Sequence, residues 1–176
     1  MMKDISDEEK ARGAIFADFI GTMNWHSICL FTICTLKRVM PIWDQEVKKK
    51  YFIYADRVVG MRHKIPKIIL GEYLAFLESN LEFWGIEEKV RNSDILELMT
   101  ASIDCEFEVS TTASRILVAV YNLMCGVEKM KEDNSLFIES LEWGTMFFEE
   151  FDACEKFFLE VKVDFMNHPL YEKVQM

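Results

Sequence analysis

Residues 24–39, NWHSICLFTICTLKRV, decide the fold of this chain. Apolar side chains recur around most of the circumference of a helix that Asn24 can cap at its start. A helix that is apolar on nearly every side must be covered by other elements, so we expect it to be central. Pro41 should disturb it at its far end, with Lys37 and Arg38 in the last turn against the negative end of the helix dipole.

The same region contains the longest run without charged residues, from Phe19 to Leu36. This run reaches the minimum length of a membrane span but carries several hydroxyl, amide and imidazole groups, whose transfer into lipid is costly. We therefore expect a buried helix and no membrane partner. Acids in residues 1–10 argue against a signal peptide, which predicts a cytoplasmic protein. The five cysteines include no Cys-x-x-Cys pair and are typical of reduced core thiols: Cys29, Cys34, Cys105, Cys125 and Cys154.

The segments beside the central helix also have helical patterns. A capping box at residues 6–9 predicts a helix over residues 7–20. Residues 51–59 are expected to form a shorter helix that ends near Gly60. Pro66 should open an amphipathic helix that runs to Trp84 and is closed by Gly85.

The second half of the chain is expected to be helical too. A cap cluster at residues 92–94 precedes the apolar residues Ile95–Ile103. The β-branched run at residues 116–120 could form a strand, but an uninterrupted helical frame from Ala101 through Cys125 favours a helix that ends near Gly126. A last long helix should begin at residues 133–135, pass through Phe165 and stop at Pro169.

Length and composition agree with these patterns. The chain has 176 residues, 51% of them apolar, with only seven Gly and three Pro, and no repeat or low-complexity linker. This size suits one compact core. So few glycines and prolines argue against a β protein, which would need many turns. We predict an all-α fold, a single-domain bundle of six or seven helices over residues 1–176.

Charge is the strongest functional signal in the sequence. The net charge is -10, which disfavours nucleic acid and favours a basic partner. Residues 37–67 hold nine Lys or Arg against three acids, whereas residues 132–160 hold nine acids against one base. The opposite charges could meet in the fold, or the acids could form a docking surface that steers a basic protein. The candidate partner-binding acids are Glu139, Glu142, Glu149, Glu150, Asp152 and Glu155.

Catalytic and metal-binding signatures are absent from the sequence. The residues three positions before the histidines are Met23, Gly60 and Phe165, so the Glu-x-x-His pattern of di-iron bundles is missing. Phosphate-binding, hydrolase and EF-hand motifs are missing as well. A nucleophilic pair of His26 with Cys29 or Cys34 is disfavoured by their apolar neighbours. We predict no enzyme activity, no cofactor and no metal.

The run CTLKRVMPIWD at residues 34–44 ends an apolar helix and resembles a family of all-helical immunity proteins from bacterial polymorphic toxin systems. A segment of the Cys-x-x-Arg-Val-Leu-Pro type ends an early helix in that family, and small residues are frequent in its later helices. The resemblance implies a cytosolic protein that binds and blocks a cognate toxin, with no catalytic residues to transfer.

Two functions remain open at this stage. The first is an immunity-type inhibitor that docks an acidic surface on a basic toxin. The alternative is a small-ligand-binding or enzymatic helical domain with a pocket lined by Trp, Phe and Met side chains. Apolar surface left over after one core is filled would also favour a homodimer.

Overall fold

The computed structural model describes residues 7–56, 60, 62–82, 85–91, 105–129, 134–146, 148 and 150–176. The predicted all-α fold class is confirmed, with one small antiparallel sheet beside the helices. The elements within the described residues are α1 (Asp7–Ile20), α2 (Trp25–Glu46), β1 (Tyr51–Asp56), β2 (Arg62–Pro66), α3 (Ile69–Asn80), α4 (Ile86–Arg91), β3 (Cys105–Phe107), α5 (Thr111–Glu128), α6 (Ser135–Thr145), α7 (Phe151–Met166) and α8 (Tyr171–Val174).

Helix α2 is central, as its sequence predicts. Every residue from Ser27 to Leu36 is buried, and α3, α5, α6, α7 and α8 all pack against it. The Asn24 side chain caps the helix by accepting a hydrogen bond of 2.9 Å from the Ser27 amide. The buried hydroxyls of Thr32 and Thr35 each donate to the carbonyl four residues earlier at 2.9 Å, so they are satisfied without an outside partner.

Aromatic rings hold α1 and α7 against α2. The Phe158 ring of α7 meets the Phe16 ring of α1 edge-on, with centroids 5.1 Å apart. Phe31 of α2 lies 6.2 Å from both rings and 5.6 Å from Phe165. Such tilted and edge-to-face pairs add to the stability gained from burial alone.

The end of α2 differs from the expectation. The helix does not stop at Pro41 but continues to Glu46, so Lys37 and Arg38 do not lie in its last turn. The turn after Pro41 is held by Trp43, which is buried and donates from its indole to the Lys67 carbonyl at 2.9 Å. Trp43 also packs edge-on against Phe52 at 5.4 Å. These contacts offset the hydrogen bond that a proline inside a helix removes.

The expected helix over residues 51–59 is wrong. Residues 51–56 form β1, the middle strand of a sheet with the order β2-β1-β3. Tyr51 is exposed while Phe52 is buried, which is the alternation of a strand. Gly60 lies between the two strands with a φ of +69°, a conformation suited to a turn. Pro66 ends β2 instead of opening a helix, and α3 begins at Ile69 and ends at Asn80, short of Trp84 and Gly85.

Two breaks interrupt helices expected to be continuous. Strand β3 breaks the frame between Ala101 and Cys125, and Ser110 caps α5 by accepting from the Ala113 amide at 3.2 Å. Residues 116–120 are helical as predicted, but α5 ends at Glu128 and not at Gly126. The expected last long helix is two helices, α6 and α7, and the second ends at Met166. The helix expected over residues 95–103 lies outside the described residues.

Close packing of α5 against α6 gives a stability test. A Cβ atom on Gly126 would lie 3.0 Å from the buried Phe137 ring, whereas one on Gly71 of α3 would meet nothing within 4 Å. We expect Gly126→Ala to destabilise the fold by about 1–3 kcal/mol through overpacking. Gly71→Ala should stabilise it by about 0.5–1 kcal/mol because alanine is the better helix former. Urea unfolding of both variants measures this difference, and equal effects would contradict the packing.

Candidate interaction surface

Several of the basic side chains in residues 37–67 form ion pairs with acids of the same chain. Lys37 Nζ lies 2.9 Å from Glu78, and Lys67 Nζ lies 3.0 Å from Asp44. Arg38 pairs with two carboxylates of α7, Glu160 at 2.7 Å and Asp164. Further pairs join Arg62 to Glu108 and Lys173 to Glu82. For these residues the interpretation that opposite charges meet in the fold is correct.

Glu78 is the most connected of these acids. Its Oε1 lies 2.6 Å from His168 Nε2, and His168 Nδ1 accepts from the Leu170 amide at 3.1 Å. Burial raises the pKa of Glu78, but hydrogen bonds from Lys37 and His168 outweigh burial and leave that pKa below its usual range. Glu78 thereby links α2 and α3 to the segment after α7. On the same side of the molecule, Asp164 binds Arg38 and His168 binds Glu78.

The structure divides the candidate acids between two helices. Glu139 and Glu142 lie on α6, while Glu150 precedes α7 and Asp152 and Glu155 lie in its first turns. Helices α6 and α7 each pack against α1 but make no extensive contact with each other. The acids therefore do not lie on one long helix as expected. Glu149 lies outside the described residues.

The α6 acids differ in exposure. Glu139 is exposed, whereas Glu142 is half-buried because its stem lies over α1. An added Cβ on Gly13 would come within 2.6 Å of Glu142 Cγ, so only a glycine fits there without movement. Burial, and then the charge of Glu139, raise the pKa of Glu142 above its usual range.

The acids at the start of α7 are solvent-exposed. Glu150, Asp152 and Glu155 form no ion pair with any other described residue, and the same is true of Glu139. The N-terminal end of a helix favours negative charge, which stabilises Asp152 locally. That effect does not neutralise the charge, so this end of the molecule stays negative toward solvent.

A second charged surface was missed by the sequence reasoning. Lys48, Lys49 and Lys50 are exposed just before β1 and form no ion pair within the described part of the chain. Lys64 of β2 is opposite Ile53 of β1, and its ammonium lies 4.7 Å from the ring centroid of Tyr51, the residue after Lys50. The expected helix over residues 51–59 concealed the hairpin that groups them.

The cysteines whose side chains the structure describes do not form a nucleophilic site, and the side chain of Cys105 lies outside the described part. Cys29, Cys34, Cys125 and Cys154 are buried and free of disulfides, in agreement with the predicted core thiols. Burial raises the pKa of Cys29 strongly and that of Cys34 to about 12, so neither thiolate is favoured. Across the described residues, no group of three or more His, Cys, Asp or Glu side chains could hold a metal ion.

Two open clefts lie at the ends of α2. One, of about 470 Å³, lies beside Lys48, Phe52 and Ser110. The other, of about 660 Å³, lies beside His26, Leu81 and Lys173. Both combine charged and apolar side chains, unlike the pocket of Trp, Phe and Met that the alternative function expects.

No helix among the described residues is long and apolar enough to cross a membrane. Comparisons of the chain with protein-family models, with curated proteins and with solved structures find no significant match.

The raised pKa of Glu142 predicts a pH-dependent effect on stability. A raised pKa means that the folded state favours protonated Glu142. The stability that this gives is fully present below the usual glutamate pKa and is lost as pH rises through the folded-state pKa. Glu142→Gln should therefore raise the free energy of unfolding at neutral pH by about 0.5 kcal/mol, a small value because solvent screens a half-buried carboxylate. The difference should vanish in acid. Urea unfolding from pH 3 to 8 measures it, and a variant that is less stable at pH 7 would contradict the assignment.

Glu78→Gln should have the opposite effect. The lowered pKa of Glu78 gives stability that is present above the usual glutamate pKa and is lost as pH falls through the folded-state value. We expect a loss of about 1–2 kcal/mol at neutral pH, since Lys37 and His168 lose a charged acceptor. The loss should shrink in acid. If the loss is the same at pH 3 and pH 7, the ion pairs do not contribute as described.

Proposed function

We propose that this chain is a non-enzymatic binding protein that docks an acidic surface on a basic partner protein. The observation that carries the proposal is the unequal distribution of ion pairs. Acids near the end of α2 and on the second half of α7 are matched by Lys37, Arg38 and Lys67, whereas Glu139, Glu150, Asp152 and Glu155 are exposed and unmatched by any described cation.

Unmatched acids of this kind favour association with a cation-rich surface. They repel one another, which opposes folding, and a basic partner relieves that repulsion when it binds. The same field accelerates encounter with a basic partner, so the association rate should fall steeply as salt is added. Both effects are strongest toward a protein whose own binding site is basic.

The partner class follows from the resemblance of residues 34–44 to immunity proteins of toxin systems. On that basis the partner is a cognate bacterial toxin with a basic surface, and inhibition takes place in the cytoplasm. Lys37 and Arg38, which lie in the resembling segment, make ion pairs within the chain. We therefore assign a structural role to Lys37 and Arg38, and a docking role to the acids of α6 and α7.

A charge-reversal pair tests the docking surface. Glu139→Lys combined with Glu150→Lys should slow association with the toxin by about tenfold at low ionic strength and flatten its salt dependence. The matched control is Glu72→Lys with Glu172→Lys, which changes the net charge equally at exposed sites on α3 and α8. Stopped-flow association rates distinguish the two. Equal rates for both double variants would contradict a docking role for these acids.

The toxin itself can be identified through genetics. Co-expression with the product of a gene adjacent to that of this chain should rescue cells from the toxicity of that product. Rescue should weaken in the Glu139 and Glu150 double variant and persist in the control. If no neighbouring product is toxic, or if the chain fails to protect against one that is, the immunity assignment is wrong.

A further inference from the structure

Helix α7 presents an apolar stripe to solvent. Its inner face carries Cys154, Phe158, Val161 and Phe165, all buried. Its outer face carries Leu159, Val163 and Met166, whose exposed fractions are 54%, 57% and 56%. These three follow one another at spacings of four and three residues, so they lie on one face of the helix.

Phe151, at the start of the helix, is 46% exposed and lies two turns before Phe158, between the inner face and the stripe. Among the residues that the structure describes, no element packs over this side of α7, because its helix contacts are with α1 and α2 through the inner face. An apolar row of this length on one surface helix is typical of an interaction site.

Charged side chains flank the stripe in a pattern that complements itself. Glu155 and Lys162 border one side of the stripe, at equal distances from a point between Phe158 and Leu159. Lys156 and Glu160 border the other side and lie at equal distances from Phe158. Two copies of α7 packed antiparallel about the first of these points place Glu155 opposite Lys162 and bring Lys156 within one residue of Glu160, which also pairs with Arg38 of its own chain.

The apolar residues fit the same arrangement. Phe151 and Met166 are also equidistant from the midpoint between Phe158 and Leu159, so each Phe151 would meet Met166 of the second copy. The two Leu159 side chains would meet near the two-fold axis. In a parallel arrangement Glu155 would face Glu155, and like charges that oppose one another are destabilising.

We propose that the outer face of α7 is the interface of a homodimer, with a second copy of this chain packed antiparallel about a two-fold axis near Leu159. Leu159, Val163 and Met166 form its apolar centre, and Glu155 pairs with Lys162 of the second copy on each side. This inference does not rest on the proposed function: of the acids assigned there it uses only Glu155, and the charge-reversal pair that tests that function changes Glu139 and Glu150 instead.

Lys162 is suitably held for this pairing. Its ammonium lies 4.7 Å from the Phe19 ring centroid and 5.5 Å from that of Phe158. These cation–π contacts restrain the side chain along the border of the stripe before the second copy arrives. Less side-chain entropy is then lost when Glu155 of the second copy binds it.

Sedimentation equilibrium of the full chain and its variants tests the dimer. The unchanged chain should dimerise in the micromolar range, and Leu159→Asp should raise the dimer dissociation constant about tenfold or more by placing like charges at the axis. Ile68→Asp, at the residue that precedes α3 and is 61% exposed, is the control and should leave dimerisation unchanged. A monomer at concentrations up to about 100 µM, or equal effects of the two variants, would overturn the proposal.

A charge swap tests the pairing itself. Glu155→Lys and Lys162→Glu should each weaken the dimer about tenfold, and the double variant should recover most of the lost affinity. Glu155 and Lys162 lie two helical turns apart in one chain, which is too far for direct pairing, so recovery requires contact between copies. Circular dichroism checks that each variant is folded. Without recovery in a folded double variant, the antiparallel arrangement is wrong.

Discussion

The burial of α2 around its whole circumference is the constraint on which the rest of this structure depends. Ten consecutive residues, Ser27–Leu36, are buried, and covering them takes five other helices. The backbone groups at the start of such a helix need hydrogen-bond partners, and its flanking side chains need them too. Asn24 Nδ2 and Ser27 Oγ both donate to the Val174 carbonyl, at 2.7 Å and 3.1 Å, so the segment after α7 closes over that end.

The position of the charges follows from this burial. Lys37 and Arg38 are the first charged residues after the buried stretch, at the point where α2 reaches α3 and α7. They form ion pairs with Glu78, Glu160 and Asp164 at that point. The acids of α6 and of the first half of α7 lie away from it and face solvent. One central helix thus separates the charges used for folding from those available for binding.

The parts of the fold that the sequence predicts well are those whose apolar period and caps agree. Helix α1 follows its capping box, and the start of α2 follows the Asn24 cap. The segment beginning at Tyr51 is short, and its aromatic and apolar residues suit a helix as well as a strand. Only pairing with β2, the next strand along the chain, and with β3, which comes from a distant part of the chain, selects the strand.

The sequence identifies the candidate acids, but it does not show where they lie relative to one another in the fold. The apolar spacing runs from α6 into α7 almost without interruption, which hides the break between Thr145 and Phe151. Gly144 lies so near Leu36 that an added Cβ would come within 3.0 Å of Cδ2, and this close approach belongs to packing on α2 that no local pattern reveals. The break moves Glu139 and Glu155 onto different helices. Likewise, no spacing in the sequence shows which acids will meet Lys37 or Arg38.

The dependence of folding stability on salt tests most directly whether the acids of α6 and α7 are left without counter-charge. Two effects oppose each other, because salt weakens the internal ion pairs and also screens the repulsion among unmatched acids. With a net charge of -10, screening should dominate. We predict that the free energy of unfolding, measured by thermal or urea unfolding, rises as sodium chloride increases from about 0.02 to 0.5 M. A free energy of unfolding that falls over that range would contradict the account, since it would mean that the acids are already neutralised within the chain.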